Sequence, residues 1–99
     1  MHATSERITD QTADVIDQYK ALKQEAFYVQ SESNRGIILQ GLDAEIKLTE
    51  DFYTATLKAL AAHQSGSQGE YDVVIKWSEC MSKALDNIEL YKKHLGRLT

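Results

Sequence analysis

Proline is missing from all 99 residues. Proline breaks helices and punctuates loops, so its absence points to a chain that is nearly all helix with few connections. Cysteine occurs once, at Cys80, which excludes an internal disulfide and makes a reducing compartment the simplest setting. Long apolar runs are missing too. No stretch reaches the ~20 apolar residues that a membrane-spanning helix needs. The start, Met1-His2-Ala3-Thr4-Ser5-Glu6-Arg7, has no apolar signal core. The expectation is a cytoplasmic protein; export by a signal-independent machine would leave the same trace. Positive charge is in deficit as well: the net charge is −4 and the pI about 5.3. That argues against nucleic acid or an anionic membrane as the partner, since both call for a basic surface.

What is present is helical periodicity. Apolar residues make up 42% of the chain and charged residues 26%, a globular rather than a disordered balance. The length suits a single domain over residues 1–99. The spacing predicts a first helix over about 5–33, capped by Thr4 or Ser5. Its stripe is Ile8, Thr12, Val15, Tyr19, Leu22, Ala26 and Val29, a heptad pattern that Ile16 and Phe27 widen. A polar run, Gln30 to Gly36, follows, and a turn is expected at Asn34-Arg35-Gly36. A second helix is expected over about 36–63. A glycine-serine connection from His63 to Glu70 leads to a third over about 70–98. Its stripe is Val74, Trp77, Met81, Ala84, Ile88, Tyr91, Leu95 and Leu98. Three segments of similar length with short connections predict an all-α, antiparallel three-helix bundle. The alternative is a long helical hairpin that oligomerises.

The middle helix is the unusual one. One apolar line is Leu39, Leu42, Ile46, Tyr53 and Leu60, with Thr49 and Thr56 in step. A second is Ile37, Gly41, Ala44, Leu48, Ala55, Ala59 and Ala62, with Ile38 and Phe52 between the two. Together they span roughly 220° of the helix, wider than an ordinary surface helix shows. A central helix touching both neighbours would look like this. So would a helix whose small residues let a partner helix approach closely. Gly41, Ala44, Glu45, Leu48, Phe52, Ala55 and Ala59 are the candidate partner-binding residues. Glu45 lies inside the apolar arc, where a carboxylate needs a partner. An ion pair with Lys23 of the first helix is expected.

Signatures of chemistry are lacking. His2, His63 and His94 match no zinc spacing, and the Glu-x-x-His pattern of di-iron bundles is absent. Gly66 and Gly69 have no lysine at phosphate-loop spacing. Cys80 has no base beside it and reads as a small buried hydrophobe. Trp77 reads as core, and Tyr28 and Leu90 as exposed apolar residues off the stripes. Trp77 is followed by Ser78-Glu79, so the Trp-x-Gly turn of small secreted helical hairpins is missing. No cofactor, metal or enzymatic activity is expected. The expectation is a non-enzymatic interaction module, such as an adaptor, small chaperone, inhibitor or immunity-type protein. It would dock on another protein or a second copy of itself, a homodimer included. The alternative is a structural subunit or secreted component of a larger helical assembly.

Overall fold

The computed structural model describes residues 3–98. His2 lies outside them. Three helices account for nearly all of the chain: α1 (Ala3–Ala26), α2 (Glu32–Ala61) and α3 (Gln68–Leu98). They form a three-helix bundle measuring 51 × 18 × 17 Å. A helix of 31 residues, the length of α3, is about 46 Å long at 1.5 Å per residue. The long axis therefore holds one helix length, and all three rods lie along it. Cross-helix contacts give their directions. Thr9 meets Tyr53 and Lys23 meets Asp43, so α1 and α2 run oppositely. Thr12 meets Trp77 and Tyr19 meets Ala84, so α3 runs parallel to α1.

The chain reverses earlier than the sequence suggested. The first helix ends at Ala26, not near Ser33, and Gly36 lies inside α2. Capping explains the difference. The Ser31 Oγ accepts a hydrogen bond from the Asn34 amide at 3.2 Å, and Glu32 places negative charge in the first turn of α2. The polar run expected to be loop is thus a cap and the first turn of a helix. At the end of α1, the Tyr28 and Val29 amides donate back three residues, to the carbonyls of Glu25 and Ala26. Val29 is buried and draws the turn inward. The Arg35 guanidinium then donates to the Val29 carbonyl at 3.0 Å. Phe27, expected to widen the α1 stripe, is 57% exposed because it belongs to this turn. At the start of the chain, Thr4 and Ser5, expected as caps, already lie within α1.

The second connection reverses through Gly66, whose φ of 81° is a left-handed conformation that other residues adopt at a cost. Ser67 caps α3 by accepting from the Glu70 amide, and Glu70 reaches back to accept from the Gly66 amide. This is a variant of the reciprocal capping box. The His63 ring lies against Gly69, leaving no room for a Cβ there.

The core follows the heptad stripes. Every member of the first stripe is buried, Ile8 to Ala26 on α1 and Val29 in the turn that follows. Leu42, Ile46, Thr49, Thr56 and Leu60 face it from α2, and Trp77, Met81, Ile88 and Leu95 from α3. The polar groups in this core are satisfied. Thr49 and Thr56 donate to carbonyls one turn back on α2, and Thr12 accepts from the Trp77 indole at 3.3 Å. Among the described residues, no buried side-chain nitrogen or oxygen lacks a partner. No described helix is long and apolar enough to cross a membrane.

Candidate docking groove

The expected Lys23–Glu45 pair does not form. Lys23, half-buried, instead pairs with the exposed Asp43, and a pair at the surface contributes about 0–1 kcal/mol. The reason is helical geometry. Asp43 and Glu45 are two residues apart, about 200° around the helix. Asp43 is on the side of α2 toward α1, and Glu45 is on the side toward α3.

Glu45 has other company. The Tyr19 hydroxyl donates to the Ala84 carbonyl at 3.4 Å. The hydroxyl also accepts from the Asn87 amide at 3.3 Å. Burial, foremost, pushes the Tyr19 phenol up; the Asn87 hydrogen bond opposes this and the Glu45 charge adds to it. Tyr91 is pushed up by burial and then by Glu45. The charge of Glu45 thus acts on both phenols.

Beyond this cluster, α2 and α3 diverge into a groove. Glu45, Leu48, Thr49 and Phe52 form its α2 side; Cys80, Met81, Lys83, Ala84, Asp86, Asn87 and Leu90 form its α3 side. Its volume is about 550 Å³. A second hollow of about 230 Å³ continues past Phe52, between Ala55, Thr56, Ala59, Val73 and Lys76. In this second hollow Ala55 and Ala59 leave room, because alanine fills little of the space between two helices. Leu48 and Leu90 stand on opposite rims, 62% and 64% exposed. Burial pushes the Cys80 thiol up, and the Lys83 ammonium offsets part of that. It sits in the wall as a neutral thiol at neutral pH. No cluster of three His, Cys, Asp or Glu side chains able to hold a metal ion occurs among the described residues.

The candidate residues divide three ways. Ala44, Leu48 and Ala55 are exposed. Glu45, Phe52 and Ala59 are half-buried along the groove. Gly41 is filled by the chain itself: an added Cβ would lie 2.5 Å from the Tyr91 hydroxyl oxygen. Sequence reasoning missed the whole α3 wall except for the exposure of Leu90. The signal was there, as Lys76, Lys83, Leu90 and Arg97 recur every seven residues and so share one line on the helix.

The Gly41 packing yields a test. Glycine within a helix costs about 1 kcal/mol relative to alanine, so Gly41→Ala would stabilise an open site. Here the Tyr91 ring must move, and the variant is expected to gain nothing or lose stability. In a Tyr91→Phe background the nearest remaining ring atom is 3.6 Å away. The same substitution should then stabilise by about 0.5–1 kcal/mol. Urea denaturation of the four proteins measures this coupling, and equal effects in both backgrounds would contradict the packing.

Compared with family models, curated proteins and solved structures, the chain matches none.

Proposed function

We propose that this protein is a non-enzymatic interaction module, of the adaptor, small chaperone, inhibitor or immunity class, whose α2–α3 groove receives a helix of another protein. The observation that carries this reading is the pair of exposed leucines, Leu48 and Leu90, on the two rims of an open groove floored by Phe52 and Met81. An apolar stripe laid between two antiparallel helices would cover both leucines and complete a four-helix arrangement, the usual way that an amphipathic helix is recognised. Anchors in the groove would supply most of the affinity, as buried apolar contacts do in other interfaces.

A photo-crosslinking amino acid placed at Leu48 or Leu90, in cells of the source organism, should give a discrete adduct. The same group at Asp17, on the exposed outer face of α1, should give none. Adducts at Asp17 as strong as those at Leu48, or no adducts at any site, would refute the groove.

A further inference from the structure

One charge on the groove wall lies inside the opening rather than on its edge. The edge itself selects no sign. Asp72, Lys76, Glu79, Lys83 and Asp86 alternate along α3, all of them exposed, and Asp51 is exposed on α2. Charges at the rim of an interface stay in water. Glu45 differs. It is half-buried on the α2 wall, on the side toward α3. It forms no ion pair with any described residue, whereas Lys23, Lys47 and Lys92 are joined to Asp43, Asp51 and Glu89. Lys83, the base on the groove lining, acts on the Cys80 thiol. The charge that acts on the Tyr19 and Tyr91 phenols is that of Glu45. Lys83 thus serves the Cys80 end of the groove, and the tyrosine end holds a carboxylate with no cation from its own chain. While the groove is open, water solvates that carboxylate. A docked helix expels the water, and the carboxylate then needs a new partner.

Resting on the docking reading above, we infer that the occupant, a helix of another protein, carries a lysine or arginine beside its apolar stripe, and that this cation enters the groove to pair with Glu45. The stem of either side chain is apolar and packs along the groove while its charged head reaches the carboxylate. Glu45 then acts as a selector. A purely apolar helix would leave it buried and unpaired, which is the kind of penalty that rejects a wrong partner. A second copy is a poorer fit. Glu45 lies near the middle of α2 (Glu32–Ala61), so two grooves paired about a two-fold axis there would bring two Glu45 carboxylates together.

The test selects binders from a displayed library of three-heptad helices. All share one leucine stripe, and the positions beside it are varied among arginine, glutamine, leucine and glutamate. The wild-type protein should enrich arginine at one such position. The variant Glu45→Gln, similar in shape but uncharged, should not. A selected arginine peptide is then remade with citrulline, which keeps the shape and loses the charge. Fluorescence anisotropy should show the citrulline peptide binding the wild type about tenfold more weakly and binding E45Q as well as the arginine peptide does. A circular dichroism melt checks that E45Q is folded, and the citrulline comparison on the wild type needs no variant at all. Enrichment of glutamine or leucine instead of arginine overturns the proposal. So does equal binding of the two peptides to the wild type, or a difference that persists in E45Q. Failure to select any binder overturns it too, as does light scattering that shows a dimer holding the groove shut. If any of these occurs while crosslinks at Leu48 and Leu90 persist, the cation falls and the groove remains. Loss of the crosslinks removes both.

Discussion

Trp77→Ala is expected to cost about 3–5 kcal/mol, the range for emptying a buried large aromatic site. The indole is 1% exposed and sits mid-stripe on α3, against α1. Its ring fills space between helices that small neighbours cannot refill. Its N–H is the donor to Thr12, so truncation also leaves a buried hydroxyl short of a partner, a further cost of about 1 kcal/mol. A domain of this size has about 5–15 kcal/mol to lose. The variant should therefore melt tens of degrees lower, since each kcal/mol moves the midpoint by roughly 4–8 °C. Circular dichroism is the right probe, because Trp77 is the only tryptophan and the variant has no indole fluorescence. A loss under about 1.5 kcal/mol would mean that the site collapses around the gap.

Tyr19→Ala should cost about the same for the same reason, as the ring is fully buried where the three helices meet. Tyr19→Phe separates ring from hydroxyl. It keeps the packing and removes the hydrogen bonds to Ala84 and from Asn87, for a loss of about 0.5–1.5 kcal/mol. The hydroxyl also gives this cluster a pH signature. Both Tyr19 and Tyr91 have phenols raised above the usual 10.0, by burial first and the Glu45 charge second. Below that value both are neutral, folded or unfolded, and the stability they contribute is fully present. As pH climbs past it, the unfolded chain releases these protons first. The folded state then binds more protons than the unfolded one, so unfolding free energy falls with rising pH. The fall ends once pH has passed the folded-state values. Denaturation midpoints measured from neutral pH to above pH 10 should show this loss, and Tyr19→Phe with Tyr91→Phe should flatten it. A wild-type curve as flat as that of the double variant would contradict the cluster.

Much of this was legible in the bare chain. Helices cover their neighbours with residues spaced three and four apart, so the heptads of α1 and α3 and the first line of α2 had to be core. All seven positions of the first stripe are buried, Thr12 among them. The exposure of Tyr28 and Leu90 was readable by the same rule. The second connection was readable from its glycines and serines, because few other residues tolerate a reversal through a left-handed position.

The turn between α1 and α2 was harder to place. The run Ser31-Glu32-Ser33-Asn34 is polar whether it caps a helix or forms a loop, and a competition between nearby hydrogen bonds decides which. Ser31 wins it by accepting from Asn34, with Val29 pinned in the core behind it.

Composition and periodicity by themselves determined a proline-free chain of three amphipathic helices and which face of each turns inward, because those properties depend on neighbours a turn away. Tertiary structure alone decided how the helices share the middle. It set Lys23 on Asp43, brought the Glu45 charge to bear on two phenols, filled Gly41 with Tyr91, and left a groove between α2 and α3 with Leu48 and Leu90 on its rims. Each of these depends on the rotation and spacing of one helix against another, which no local pattern encodes.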